Sequence, residues 1–362
     1  MFELRKLKKY YSIVISEKKI RDNERKELVQ GARVFFNGNK TQNIGDFEDY
    51  KKALYHHRFS IGEYLKYKLA SLSKEQRNDV ISCYEMNSIY RKFVHDSVRR
   101  IFANKVRCLQ IFGKWVHRKW CLAKETTYDD FVKLVSSTDC IAKPMNGECG
   151  KGIFKIKKDE VQDFASLYEQ CTKNNMLVEE CVYACDEIEK FHPASLNTIR
   201  VVTMSNGKDC IVVGAALRIG AGGSIIDNIA GGGVSVPICL SNGCLQDNAM
   251  DANGIEYEKH PDTNVTFKGT KIPNWNNVEK MCTEASKIVK DAVFTGWDIC
   301  VLSSGEIELI EANAMPDIGV IQFSPRYLKK NIIKQAGKEL LGINLLKLTS
   351  ILSRSYRRYD KN

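Results

Sequence analysis

Three side chains, Asp298, Glu311 and Asn313, carry oxygen atoms of the kind that bind a hard divalent cation. Magnesium prefers carboxylate and carbonyl oxygens, keeps several of its waters, and is usually held by one or two carboxylates together with substrate phosphates. Two carboxylates and one amide oxygen suit this ion, with Mn²⁺ as the alternative. The residue types therefore predict a magnesium site.

The segments that carry these residues predict that the three side chains meet. Two apolar runs, 297–302 and 306–312, are joined by a Ser-Ser-Gly turn, which is a β-hairpin signal. Because side chains alternate along a strand, Glu311 and Asn313 share a face, and the turn brings Asp298 beside them. A solvated hairpin with incidental acids is the alternative. It fits poorly, because an unpartnered carboxylate in the apolar run "IELIEANA" would be costly.

Two arginines, Arg200 and Arg218, stand in apolar runs that an Asn206-Gly207 pair joins into a second predicted hairpin. A guanidinium can hold a carboxylate or phosphate with two parallel hydrogen bonds, so two arginines on such strands indicate anion binding. A structural salt bridge explains a single arginine equally well.

A glycine-rich stretch, "DNIAGGGVSVPI", comes after this second hairpin and contains Asn228 and Gly232. Exposed amides of consecutive glycines could surround a developing oxyanion. A flexible loop is the alternative for this stretch.

The stretch "CIAKPMNGECGKGIFKIKK" predicts two strands joined by a turn with several glycines. Lys143 lies in the first strand, and Gly150 and Lys151 lie in the turn. Such a turn can close over triphosphate oxygens with its amides and add a lysine charge. It is not a P-loop, because G-x-x-x-x-G-K-[ST] is absent and a strand follows instead of a helix. An ordinary surface hairpin is the alternative.

Two further elements could complete a nucleotide site. Lys105 lies in a helical apolar pattern, where a lone lysine is usually solvated. The predicted strand 176–182 ends in acids, of which Glu179 or Glu180 could meet an adenine base or a ribose.

Composition describes an ordinary globular protein with room for two or three domains: 362 residues, 43% hydrophobic and 27% charged. Its 13 cysteines are scattered without C-x-x-C pairs, and no secretory signal is evident, which predicts a reducing cytoplasmic compartment. No apolar run approaches the roughly 18 residues of a membrane span.

Positive charge is concentrated in two segments. Residues 1–40 hold 11 Lys/Arg against 5 Asp/Glu, and residues 326–362 hold 10 against 2. The total is +11, so residues 41–325 carry a net charge of −3. The basic segments could contact an anionic membrane or a polyanionic glycan, although solvated helix faces are the commoner explanation. We expect no specific nucleic-acid partner.

Taken in order, the motifs resemble the ATP-grasp superfamily, and the metal triad has the spacing of the D-alanine:D-alanine ligases. The resemblance is closest to the sugar-transfer-associated ATP-grasp group and covers about residues 60–325. The matching motifs lie at residues 193–201, 217–220, 227–233, 260–263, 272–275 and 296–298.

This resemblance implies an α+β fold in which two α+β subdomains grip ATP, preceded by a helical region. The implied divisions are a basic helical N-terminal region, a small subdomain with the nucleotide-covering loop, a metal and substrate subdomain, and a basic helical segment. Their expected bounds are 1–95, 96–185, 186–325 and 326–362. Ser60–Glu63 and Ser73–Gln76 match the capping box that opens helices in the first of these.

The resemblance also assigns roles to three sets of residues. The set for ATP phosphates and adenosine is Lys105, Lys143, Gly150, Lys151, Glu179, Glu180 and Val182. The set for Mg²⁺ is Asp298, Glu311 and Asn313. The catalytic set is Arg200 for the transferred phosphoryl group, Arg218 for the acceptor carboxylate or acylphosphate, and Asn228 and Gly232.

The implied activity is that of an ATP-dependent ligase joining a carboxylate to an amine through an acylphosphate. The group's association predicts a sugar carboxylate and an amino acid or amine in cell-surface polysaccharide biosynthesis. The expected location is the cytoplasm, and the basic segments could place the protein at the inner face of the membrane. A kinase that phosphorylates a sugar hydroxyl is one alternative, and a non-catalytic basic glycan-binding protein is another. The oligomeric state is left open.

Overall fold

A computed structural model describes residues 22–35, 44–145, 151–225, 227, 229–323 and 325–345. Two residues with predicted roles, Gly150 and Asn228, lie outside these ranges, and their roles stay predictions. Most of the two basic segments, residues 1–21, 36–43 and 346–362, also lies outside them.

Helices precede, separate and follow the strands. In order they are α1 within 22–35, α2 Ile44–His57, α3 Ile61–Lys66, α4 Lys74–Asp79, α5 Cys83–Phe93, α6 Asp96–Ala103, α7 Lys105–Ile111, α8 Tyr128–Ser137, α9 Phe164–Lys173, α10 Asp186–Glu189, α11 Trp275–Ala285 and α12 Lys330–Leu341. Within the described ranges, we find no helix with the length and apolar character needed to cross a membrane.

The strands divide into two antiparallel sheets. In order they are β1 Trp120–Leu122, β2 Cys140–Pro144, β3 Phe154–Ile156, β4 Met176–Glu180, β5 Thr198–Ser205, β6 Cys210–Ile219, β7 Val234–Pro237, β8 Ala249–Met250, β9 Glu256–Tyr257, β10 Phe294–Val301 and β11 Ile307–Asn313. The smaller sheet has the order β1-β4-β2-β3, and the larger has the order β11-β10-β5-β6-β7-β8-β9. The predicted α+β class is confirmed.

Capping chemistry sets where the N-terminal helices begin. Ser60 and Ser73 each accept a hydrogen bond from the amide three residues later, and the side chains of Glu63 and Gln76 accept one from the cap amide in return. Both predicted capping boxes are confirmed, and a third opens α5 at Ser82. Each cap satisfies amides that the first helical turn leaves without partners.

Three groups of buried side chains form the cores. Helices α2 and α3 with the turn after them form one, and the smaller sheet with α8 and α9 forms another. The largest core joins the larger sheet to α5, α6, α7, α11 and α12. The helices of 96–111 therefore share the core of the larger sheet, and the core of the smaller sheet starts near Cys121. This packing does not test the bounds of the four expected divisions, which stay predictions.

The N-terminal helices also fix the chain that comes after β11. Gln322 is fully buried, accepts from the Ile81 amide at 3.0 Å and donates to the Ile81 carbonyl at 3.0 Å. Tyr90 donates to the Pro316 carbonyl at 2.6 Å. These contacts hold the segment after Asn313 against α5.

Replacing Gln322 with Leu should lower the free energy of unfolding by roughly 2 kcal/mol, because both polar groups of Ile81 would be buried without partners. Urea unfolding followed by circular dichroism measures this change. Exposed Gln170→Leu in α9 is the matched control and should leave the unfolding midpoint unchanged. Equal stability of the two variants would contradict the assigned contact.

Candidate functional site

The predicted metal hairpin is formed by β10 and β11. Asp298 lies opposite Glu311, and Gly296 lies opposite Asn313, so the three predicted ligand residues occupy neighbouring positions. The register shifts after Asp298, which leaves Ile310 as an extra residue in β11. Such bulges re-aim the side chains beside them and are frequent near active sites. The structure thus brings together the three residues that the sequence assigned to metal.

Asp298 is buried and is held by both predicted arginines. Arg200 donates to both of its carboxylate oxygens, at 2.9 Å for Nη2 to Oδ2, and Arg218 Nη1 lies 3.1 Å from each oxygen. Burial by itself would raise the pKa of Asp298, but the charges of Arg200 and Arg218 outweigh that effect and lower it. Asp298 is therefore a carboxylate that stays charged inside the protein.

A second carboxylate, that of Asp227, joins Asp298, Arg200 and Arg218 in what we call the charge group. Asp227 accepts from Arg218 Nη2 at 2.6 Å and from the Thr198 amide at 3.1 Å, and the Thr198 hydroxyl also donates to it. Two arginines therefore face two aspartates at the ends of β5 and β6. Nearby, Gly232 is exposed and has a φ of +97°, a conformation that favours glycine.

Glu311 differs from Asp298 in having no ion-pair or hydrogen-bond partner among the described residues. Its side chain reaches solvent, yet protein surrounds it closely enough that burial, followed by the charge of Asp298, raises its pKa. The charges of Lys105, Lys143 and Arg200 act in the opposite direction. These four charges therefore act on Glu311, which has no ion-pair or hydrogen-bond partner of its own among the described residues.

This donor set fits a magnesium or manganese ion. An accessible carboxylate next to a second carboxylate and an amide oxygen matches the hard oxygen ligands that these ions prefer. Repulsion between Glu311 and Asp298 would be relieved by a cation in the space between them. Glu311 and Asn313 would hold it together with Asp298, whose two oxygens also accept from Arg200 and Arg218.

A cleft that is open to solvent lies between the two sheets next to this group. Its lining includes three residues with predicted nucleotide roles, Lys143, Glu180 and Val182, and the apolar side chains Ile141, Tyr183, Leu196, Ile225 and Ile310. Pockets for small ligands combine apolar walls with a few polar groups. Lys151 is exposed and lies outside the described lining of the cleft.

Glu179 does not reach the cleft as predicted, because its buried carboxylate is occupied by two protein cations. Lys143 Nζ lies 2.6 Å from Glu179 Oε2, and Arg118 Nε lies 2.8 Å from Oε1. Burial works against ionisation, but Lys143 and Arg118 lower the pKa of Glu179 overall. The side chain of Glu179 therefore holds Lys143 at the cleft, and Glu180 remains the acid that lines it.

Arg118 links Glu179 to β11, the strand that carries Glu311 and Asn313. Its Nη1 donates to Glu308 Oε1 at 2.5 Å and to the Leu309 carbonyl at 2.7 Å, and its Nη2 donates to the Ile310 carbonyl at 3.2 Å. One buried guanidinium therefore joins β4 of the smaller sheet to β11 of the larger sheet, one residue before Glu311.

Arg118, Glu308 and Asp227 were not predicted from the sequence. Arg118 stands in "WVHRKW", where charges alternate with aromatic residues as on a protein surface. Its partners lie 61 and 190 residues away in the chain. No local spacing could have indicated these pairs. Asp227 lies in one of the motifs that carry the resemblance, which was the available signal.

A family profile described as sugar-transfer associated ATP-grasp matches residues 87–333, which is more than half of the chain. No curated protein matches the sequence.

Three similar solved structures share 9% to 14% sequence identity with this chain. ATP-grasp ligase PsnB, complexed with minimal precursor, Mg and ADP, has 14% identity, a TM-score of 0.39, and is matched over 71% of this chain and 62% of its own. N5-carboxyaminoimidazole synthase from Aspergillus clavatus has 9% identity, a TM-score of 0.40, and coverage of 65% and 51%. L-amino acid ligase from Bacillus licheniformis has 13% identity, a TM-score of 0.37, and coverage of 68% and 46%. The match thus spans less than two thirds of each of these proteins.

Replacing Arg118 with Met should lower the free energy of unfolding by about 3 kcal/mol, because Glu308 would keep only its contacts with His117 and Glu179 would lose one of its two cations. Urea unfolding followed by circular dichroism measures the loss.

Lys114→Met is the control for this change, since Lys114 pairs with Glu284 at 2.6 Å on the exposed surface. It should leave stability unaltered. If Arg118→Met were as stable as this control, the two sheets would not depend on the buried guanidinium.

Proposed function

This chain belongs to the sugar-transfer-associated ATP-grasp family, and on that basis we propose that it is an ATP-dependent ligase that joins a carboxylate to an amine. A carboxylate oxygen of the substrate attacks the γ-phosphorus of ATP, the bond to ADP breaks, and an acylphosphate forms. The amine then attacks the acyl carbon, and phosphate leaves.

One observation carries this proposal. The accessible Glu311 carboxylate lies opposite Asp298, which Arg200 holds, and the neighbouring residue Ile310 lines the same cleft as Lys143. Cations and acids gathered around one space, next to a cleft between two sheets, suit the binding of a nucleotide triphosphate with its metal.

The residues of the chain divide the work of phosphoryl transfer by position. Lys143, held by Glu179 at 2.6 Å, is placed to take non-bridging oxygens of the nucleotide, and Lys105 adds a second positive charge. Val182 and Glu180 line the part of the cleft suited to adenosine. Mg²⁺ held by Asp298, Glu311 and Asn313 supplies charge neutralisation on the phosphates when bound.

Arg200 and Arg218 provide the positive charge for the reacting groups. Both are fixed by Asp298, so their orientation is set before any substrate binds, and preorganised charge is the main source of catalysis in phosphoryl transfer. In this proposal Arg200 faces the transferred phosphoryl group and Arg218 faces the substrate carboxylate and the acylphosphate. Gly232 is the residue proposed for the oxyanion of the second step, and its amide donates to the Ile229 carbonyl at 3.1 Å when no substrate is bound.

The acceptor class is proposed from the family's association with sugar transfer. The carboxylate would belong to an acidic sugar of a cell-surface polysaccharide, and the amine to an amino acid or a related compound. The basic segments at residues 1–40 and 326–362 suit an anionic membrane surface or a polyanionic glycan.

Incubation of the protein with Mg-ATP, pooled uronic acids and hydroxylamine tests the reaction. We expect a hydroxamate together with ADP and phosphate, because hydroxylamine traps an acylphosphate, and mass spectrometry of the products names the acid. A stable phosphorylated sugar without free phosphate would instead indicate a kinase and contradict the ligase proposal.

Replacing Glu311 with Gln should reduce hydroxamate formation by about a hundredfold or more, since the accessible metal ligand is lost. The same change should preserve or raise the thermal midpoint of the metal-free protein, because repulsion with Asp298 disappears. Glu306→Gln, at the exposed turn of the same hairpin, is the matched control and should retain activity. Full activity of Glu311→Gln would refute the metal assignment.

A further inference from the structure

Two buried histidines and an aspartate lie outside the charge group described above. His192, His260 and Asp262 bring their ligand-type atoms within 4.8 Å of one another. His192 and His260 are 5% and 1% exposed, with ring centroids 5.5 Å apart. The His260 ring also packs edge-on against Phe267.

All three side chains bind backbone atoms of one short segment, residues 220–224. His260 Nε2 lies 2.8 Å from the Gly220 carbonyl, and His192 Nε2 lies 3.0 Å from the Ser224 carbonyl. Between these two positions, Asp262 Oδ2 accepts from the Gly222 amide at 2.8 Å. Every second residue of the segment is therefore held by a different side chain.

The chemistry of these contacts places a hydrogen on Nε2 of both imidazoles. A carbonyl oxygen can only accept, so Nε2 carries the hydrogen in each ring. His260 Nδ1 is then an acceptor, and the amides of Asp262 and Thr263 donate to it at 3.3 and 3.4 Å. Burial lowers the pKa of His260, which keeps this ring neutral near pH 7.

The 220–224 segment has one hydrogen bond of its own, from the Ser224 amide to the Ala221 carbonyl at 3.3 Å, and Asn197 accepts from its Gly220 amide at 3.4 Å. Gly222 and Gly223 have φ values of +65° and +74°, and a Cβ at either position would meet nothing within 4 Å. Glycines in open space lose much conformational freedom when they are ordered. Side chains from outside the segment must therefore offset that entropy.

The residues after this segment belong to the proposed active site. Ile225 lines the cleft between the sheets, and Asp227 holds Arg218 at 2.6 Å. A change in residues 220–224 would move both. The segment is thus the connection between the histidine pair and the arginine proposed to bind the acylphosphate.

We infer that His192, His260 and Asp262 are positioning residues that fix the 220–224 segment and, through it, the Asp227–Arg218 pair for the second step of the reaction. This inference rests on the proposed function for its catalytic consequence, but the fixing of the segment stands independently. A Zn²⁺ site built from the same atoms is disfavoured, because the hydrogen atoms of two amides already point at His260 Nδ1.

Hydrogen exchange of the full chain, without any ligand, tests the fixing of the segment. In His260→Leu and His192→Leu, the amides of 220–225 should exchange about tenfold faster than in the wild type, since a buried carbonyl loses its donor. His260→Gln should restore much of the protection, because its side-chain amide can donate in place of Nε2. His95→Leu, at a histidine outside the cluster, is the control and should exchange as the wild type.

Unchanged exchange in both Leu variants would overturn the inference, as would loss of wild-type protection on addition of EDTA, which would make the cluster a metal site. The catalytic consequence is read in the hydroxylamine assay. The Leu variants should form hydroxamate about tenfold more slowly while ADP affinity stays within about twofold, because Lys105 and Lys143 are untouched. Equal losses of both would contradict positioning for the second step, and a wild type without hydroxamate would remove the proposed function alone.

Discussion

Compensation of buried charge is the constraint on which this structure depends. Asp298 can remain ionised inside the larger sheet only because Arg200 and Arg218 both face it, and Arg218 in turn requires Asp227. Arg118 plays the same part between the sheets, where it neutralises Glu179 and Glu308. Arg118 lines the cleft, and Glu311, which pairs with Asp298 in the hairpin register, has no ion-pair or hydrogen-bond partner among the described residues.

The helices that precede the sheets take part in this arrangement. α5, α6 and α7 share the largest core with β10 and β11, and Lys105 stands at the start of α7. The buried ring of Tyr90 packs edge-on against Phe294 of β10 at 5.3 Å and also holds Pro316. A Cβ on Gly296, opposite Asn313, would lie 2.6 Å from Pro316, so the chain at Pro316 packs directly against β10. The N-terminal helices thus help to position the site by packing against β10 and β11.

Local features of the site could be predicted from the sequence, and long-range pairs could not. The hairpin of β10 and β11, the pairing of Asp298 with Glu311, and the capping boxes follow from turn chemistry and side-chain alternation over a few residues. The family also follows from the order of its motifs. By contrast, the sequence assigned Glu179 to the nucleotide. Nothing near Glu179 in the chain indicates that its carboxylate pairs with Arg118, which lies 61 positions away. The sequence also did not indicate that the helices of 96–111 pack against the larger sheet, since helical periodicity does not tell which sheet a helix packs against.

Anomalous diffraction from crystals grown with Mn²⁺ and ADP tests the metal assignment most directly, because it locates the ion without any assumption about the acceptor. We predict an anomalous peak within about 2.5 Å of oxygen atoms of Asp298, Glu311 and Asn313, with the ADP phosphates on the same ion and adenosine in the cleft beside Val182. A peak bound elsewhere, or ADP bound without an ion at these residues, would contradict it.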